Sequence, residues 1–184
     1  MTEDQDLFVR LRCGDKDALR RIYDKYRIDL FTIAASLIHD VHAAEDCLQD
    51  VFVGLADSAR EFKIRRNLKG YLISWILNRA RDTVRAKRPQ LDQSVEDSWC
   101  FSTTSNPAQR LIDREESVRL FGALGQLPQE QREVFVLHAQ GDMKFREIAE
   151  LHNTSVKTAQ SRYRYAIEKL RSFLAKESEN EIGK

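Results

Sequence analysis

The chain has little of what punctuates or cross-links a fold: 7 Gly, 3 Pro and 3 Cys among 184 residues. That composition belongs to a soluble, helix-rich chain, and no alternating strand pattern competes with the helical one. Cys13, Cys47 and Cys100 are odd in number, widely scattered and without a C-x-x-C pair. They argue against a disulfide framework or a thiolate zinc site and for a reducing, cytoplasmic setting. Long apolar runs are missing too. "LFTIAASLI" is too short to span a bilayer, and the acidic start "MTEDQDLF" lacks the apolar stretch of a signal peptide. There is no P-loop, no G-x-S-x-G and no nucleophile paired with a base, so no catalytic residue and no enzyme activity is indicated. His39 and His42 lie near Asp40 and Glu45, but without further His or Cys partners they read as residues of a helix break. No metal and no cofactor is expected.

Net charge is also scarce, at +1, yet this balance conceals segregation. Residues 40–57 carry a net −5, 60–88 a net +8, 91–107 a net −3 and 156–176 a net +5. Two basic blocks separated by acidic ones suggest two anionic contacts and at least one partner of another kind.

Apolar residues step by three and four through Leu19, Ile22, Tyr23, Tyr26, Leu30, Ile33, Ala34 and Leu37, one face of a long amphipathic helix. After a break at "HDVH" the pattern resumes at Ala44, Cys47, Leu48, Val51, Phe52 and Leu55. A further helix starts near Leu68, turns Leu72, Trp75, Ile76, Ala80 and Val84 inward, and stops by Pro89. With a short helix near 4–12 these predict an N-terminal bundle over 1–88. Residues 89–106 turn polar and Ser/Thr-rich and read as a linker. Asn106-Pro107 suits a helix start. From there helices over about 107–125, 128–139, 144–152 and 156–175 predict a second module, 107–176, followed by a polar tail, 177–184. The fold class is all-α, two small helical modules joined by a flexible linker.

"EIAELHNTSVKTAQSRYRYAIEKLR", residues 147–171, suggests two helices meeting at a corner. Asn153 tolerates the left-handed backbone a corner needs, and Ser155 can cap the helix that follows. That helix buries Ala159, Tyr163, Ala166, Ile167, Leu170 and Leu174 and presents Lys157, Thr158, Gln160, Ser161, Arg162, Arg164 and Tyr165. Such small, polar and basic groups near a helix N-terminus suit a DNA major groove, where Arg meets guanine, Gln adenine, and Ser or Thr bases or phosphates. A plain helical hairpin with a solvated basic face is the alternative. His152 reads as a surface or turn residue.

In the N-terminal module, Glu45, Asp46, Gln49 and Asp50 project from the apolar stripe of "AAEDCLQDVF". They are either a solvated face or a docking face for a basic helix. The next segment mixes Phe62, Tyr71 and Trp75 with dense basic charge, a combination that holds single-stranded nucleic acid. Trp75 also fits the core.

Taken together, "AAEDCLQDVF", "YLISWILNRARDTVRAKR" and "LPQEQREVFVLHAQGDMKFREIAELHNTSVKTAQSRYRYAIEKLR" resemble bacterial RNA polymerase sigma factors of the extracytoplasmic-function class, in the right order over nearly the whole chain. The resemblance implies an N-terminal module that docks core RNA polymerase through Glu45, Asp46, Gln49 and Asp50. It implies that the same module recognises and melts the −10 element, with Lys63, Arg65, Arg66, Asn67 and Lys69 forming a base-capturing loop. Asn78, Arg79 and Arg85 would contact the opened strand. Lys157, Thr158, Gln160, Ser161, Arg162, Arg164 and Tyr165 would read the −35 duplex, and an anti-sigma factor joins the expected partners. Asn153, His152, Lys157, Ala159, Gln160, Tyr163 and Tyr165 depart from the family pattern and bear on the preferred −35 sequence. A conventional helix-turn-helix regulator of duplex DNA, which would explain 107–175 but not the first module, is the competing function.

Overall fold

The computed structural model describes residues 3–59, 67–87 and 118–182, the side chains of 87 and 176–182 excepted. The linker, Asn106-Pro107 and the start of the helix placed at 107 lie outside them. Among the described residues there are eight helices and no strand: α1 (Glu3–Arg12), α2 (Lys16–Ile38), α3 (Val41–Ser58), α4 (Leu68–Lys87), α5 (118–125), α6 (Gln129–Ala139), α7 (Phe145–Leu151) and α8 (Val156–Ile182). The all-α expectation holds. The last helix continues through most of the segment read as a polar tail.

The boundaries have local causes. Asp15 Oδ1 accepts from the backbone N–H of Asp17 at 2.9 Å and of Ala18 at 3.3 Å, which caps α2. The "HDVH" break is a two-residue device. His39 ends α2 in a left-handed conformation (φ 56°), and Asp40 opens α3 by accepting from the Ala43 N–H at 2.9 Å. Asn67 does the same for α4, its Oδ1 accepting from Gly70 N–H at 2.6 Å.

Helix α2 is the central pillar, packed by α1, α3 and α4. Ile22, Leu30 and Ile33 on α2, Leu55 on α3 and Leu72 and Ile76 on α4 are fully enclosed; truncating one such side chain to Ala costs about 2–5 kcal/mol. Cys47 is buried among them, which pushes its thiol up to about 12 and leaves it chemically quiet. Trp75 is partly buried, tilted against Tyr71 with ring centroids 5.3 Å apart. It lies over Gly54: a Cβ there would come within 2.7 Å of the indole. Tyr23, read as inward-facing, is instead 37% exposed, because its position on α2 falls at the open edge of the α2–α3 seam.

The C-terminal helices pack as α6 and α7 against α8. Phe135, His138, Phe145 and Tyr163 form one ring cluster with centroids 4.1–5.9 Å apart, so Tyr163 is core material. The two modules do not stand apart. Helix α6 packs on α2, and one apolar core runs through both.

Candidate nucleic-acid interface and docking face

Helices α7 and α8 make the corner expected from the sequence. Asn153 adopts φ 50°, the left-handed conformation that redirects the chain, while Thr154 N–H donates to Ala149 O at 2.8 Å. Ser155 Oγ accepts from the Thr158 N–H at 3.0 Å, satisfying one donor at the start of α8. With Ala159, Ala166 and Leu170 buried, the opposite side of α8 turns outward. Lys157, Gln160, Arg164 and Tyr165 are exposed; Thr158, Ser161 and Arg162 are half-buried. Arg164 lies over the Tyr165 ring at 5.2 Å. Arg162 is held by Glu130 of α6, and its side chain is 23% exposed.

His152 is a turn residue as expected, at the end of α7, but its side chain is not on the surface. It is 4% exposed and lies 3.5 Å from Glu133. Burial lowers its pKa, against the pull of the Glu133 carboxylate. Position in a turn does not fix side-chain exposure when Glu133 of α6 and Arg81 of α4 close over the ring.

On α3, Glu45, Asp46, Gln49 and Asp50 are all exposed, opposite the buried Ala44, Cys47, Leu48 and Val51. Beside them runs a feature that the periodicity did not reveal, an apolar groove of about 790 Å³ between α2 and α3. Tyr23, Ile28, Phe31, Phe52 and Val53 line it, with Glu45 and Gln49 among its walls. Ile28 and Val53 are 48% and 53% exposed. Apolar side chains left open next to acidic ones make a surface suited to a basic amphipathic helix. Ile28 and Val53, single apolar residues that fall outside the stripes of α2 and α3, were the available signal.

The proposed melting residues are placed less uniformly. Lys63, Arg65 and Arg66 lie outside the described residues. Asn67 is occupied as a helix cap. Lys69 bridges Asp29 and Asp142 at 3.0 Å each. Asn78 and Arg79 are exposed and line a cleft with Trp75, Asp50, Asp57 and Asp82. Arg79 Nε donates to Asp50 Oδ2 at 3.0 Å, which couples the expected docking face to the expected strand-binding face. Arg85 is exposed, 3.4 Å from Asp82.

Among the described residues no group of three or more His, Cys, Asp or Glu is placed to hold a metal, and no helix is long and apolar enough to cross a membrane.

Comparison with known proteins accounts for both modules. Residues 22–90 match the family described as Sigma-70 region 2, and residues 117–170 match Sigma-70, region 4. The chain belongs to the sigma-70 family. Within it, the chain is a sigma factor of the ECF class. It is 27% identical to the ECF RNA polymerase sigma factor SigW of Bacillus subtilis, over 90% of this chain and 93% of that protein. It is 28% identical to SigX of the same organism, over 80% of each. The structure of CnrH in complex with the cytosolic domain of CnrY superposes with a TM-score of 0.68 at 25% identity, covering 94% of this chain and 97% of that one. CnrH comes from Cupriavidus metallidurans.

Proposed function

We propose that this chain acts in the cytoplasm as a non-catalytic subunit of RNA polymerase, with core enzyme supplying all the chemistry. Glu45, Asp46, Gln49 and Asp50, with the neighbouring apolar groove, dock a basic helical surface of core polymerase. The N-terminal module, residues 1–88, captures the melted −10 strand through Asn78, Arg79 and Arg85 and through Lys63, Arg65, Arg66, Asn67 and Lys69. Unpairing costs a few kcal/mol per base, which contacts to the extruded base must offset. The C-terminal module, 107–176, reads the −35 duplex through Lys157, Thr158, Gln160, Ser161, Arg162, Arg164 and Tyr165. The linker 89–106, eighteen residues with a reach of about 60 Å, lets one chain span both elements. An anti-sigma factor is a further partner in this reading, supported by structural relatives solved with partners bound, CnrH with the cytosolic domain of CnrY and RpoE of Bartonella quintana with the anti-sigma factor NepR.

The observation that carries the reading is the corner at Asn153 and Ser155. It presents Lys157, Gln160 and Arg164 to solvent from the first turns of a helix whose other side is filled. Two measurements test it. Asp46→Lys with Asp50→Lys should weaken capture of core polymerase without lowering helical content. Arg162→Ala should cost the holoenzyme roughly 1–3 kcal/mol at a −35 site, more than at scrambled DNA. Tight promoter binding by the free chain, unaffected by core polymerase, would favour the conventional regulator instead.

A further inference from the structure

Under the function proposed above, on which this inference rests, α8 is the reading helix, yet several of its outward side chains already have partners. Thr158 Oγ1 lies 2.8 Å from Ser155 Oγ, and Arg162 is held by Glu130. Arg164 lies 3.8 Å from Glu168, with its guanidinium over the Tyr165 ring. Ser161 is short and half-buried. Lys157 and Gln160 are exposed and hold no hydrogen bond or ion pair among the described residues. Beside them stands an apolar residue that the fold does not use. Val156, in the first turn of α8, is 41% exposed and takes no part in the core. Ala159 is fully enclosed, which fixes the roll of the helix. Val156 and Gln160, one turn apart on the same flank, therefore face outward together.

The two free polar heads differ in what they can recognise. Lys157 is a point charge on a flexible stem, which holds phosphate in any sequence. The Gln160 amide carries two N–H donors and a carbonyl acceptor on one planar group. In the major groove adenine presents an N7 acceptor beside an N6 donor, and only that edge engages both halves of the amide. Guanine offers two acceptors and leaves the carbonyl facing O6; cytosine offers a donor, and thymine O4 with a methyl group. An isopropyl group such as that of Val156 has one favourable partner there, the thymine methyl. The two residues stand about 6 Å apart along the helix axis, less than two base-pair steps of about 3.4 Å. Gln160 is also one of the positions at which the chain departs from the family pattern, so the preference it sets is the chain's own.

We infer that Gln160 and Val156 together set an A·T preference in the −35 element, Gln160 taking an adenine edge and Val156 the methyl of a thymine within two base pairs of it. The uncharged amide decides the base, while Lys157 and the arginines supply the salt-dependent part of the affinity. Holoenzyme assembled from the full chain and core polymerase is offered a promoter pool randomised over the −35 element alone, and the bound fraction is sequenced. Wild type should enrich adenine at one position, and Gln160→Arg should convert that position, and no other, to guanine. On the selected duplex, an adenine analogue lacking the N7 acceptor should weaken wild type about tenfold and leave Gln160→Ala unaffected. Deoxyuridine in place of the thymine removes only the methyl. It should weaken wild type about threefold and leave Val156→Ala unaffected. An unshifted consensus for Gln160→Arg, or a loss in Gln160→Ala equal for every sequence, would overturn the adenine contact. Equal sensitivity of wild type and Val156→Ala to deoxyuridine would overturn the methyl contact. Failure of the underlying −35 reading shows separately, as no enrichment at any position and a holoenzyme indifferent to Arg162→Ala.

Discussion

Helices α4 and α8 are both basic and both amphipathic, yet their polar groups are used differently. On α4, Lys69 is bound by Asp29 and Asp142, Arg79 by Asp50, Arg81 by Glu133 and Arg85 by Asp82. On α8, Arg162 is held by Glu130 and Arg164 lies 3.8 Å from Glu168 of the same helix, but Lys157, Gln160 and Tyr165 project into solvent from a helix packed on its far side by α6 and α7. The cause is position. Helix α4 is wedged between acid-bearing neighbours, so Lys69, Arg79 and Arg81 each meet a carboxylate of another element, while Arg85 meets Asp82 of its own helix. A stripe of basic residues is therefore not yet a free nucleic-acid surface; what packs beside it decides.

Acid should break the comparison most strongly, where His39 at the end of α2 meets Arg132 of α6. His39 is held at about 4, because burial disfavours its charged form and Arg132 beside it adds like charge. Its ordinary value is 6.5, so the unfolded chain binds the proton first. The stabilisation is fully present above about pH 6.5 and is lost as pH falls through about 4, with a magnitude on the order of 3 kcal/mol. Denaturant melts at pH 7 and pH 4.5 should show wild type losing more stability than His39→Gln, which carries no titrating ring. Parallel losses in the two proteins would remove His39 as the cause.

Next in size is the contact between α3 and α4. Gly54→Val drives a side chain into the Trp75 ring, already within 2.7 Å of a Cβ, and should cost about 1–3 kcal/mol. A thermal melt reads the loss, and a shift of tryptophan emission locates it. An unshifted melt would mean that α3 and α4 can slide apart without penalty.

Removing the cap on the reading helix sharpens the contrast from the other side. Ser155→Ala should cost about 1 kcal/mol of stability, since it strands the Thr158 N–H at the start of α8. Hydrogen exchange should accelerate in the first turn of α8 before anywhere on α4. The smallest effect belongs to α4 itself. Arg79→Ala removes an exposed pair with Asp50, both side chains about half open to solvent, and should change stability by less than about 1 kcal/mol. A larger loss in urea melts would show that the pair organises the α3–α4 cleft.

Much of this architecture was legible from local pattern. The apolar stripes of α2, α3 and α4 predicted their buried faces almost residue by residue, because a helix with one apolar side has only one way to turn. The Asn153–Ser155 corner was legible for the same reason: left-handed backbone and N-terminal capping are chemical preferences of single residues. The acidic face of α3 could be placed on the surface, although not joined to its apolar groove. That groove depends on how α2 and α3 splay, which neither helix encodes alone.

By itself, then, the sequence determined the helices, their inward faces, the corner before the reading helix and the segregation of charge, all of which follow from spacing and side-chain type within about four residues. Only the tertiary structure decided that Tyr23 lines an open groove, that Lys69 and Arg81 hold the second module, and that His152 is enclosed beside Glu133. The ion pairs that hold the second module join residues 52 and 73 positions apart, Arg81 with Glu133 and Lys69 with Asp142. An ion pair formed at that separation leaves no period in the sequence, because either partner alone looks like any other charge on a solvated helix.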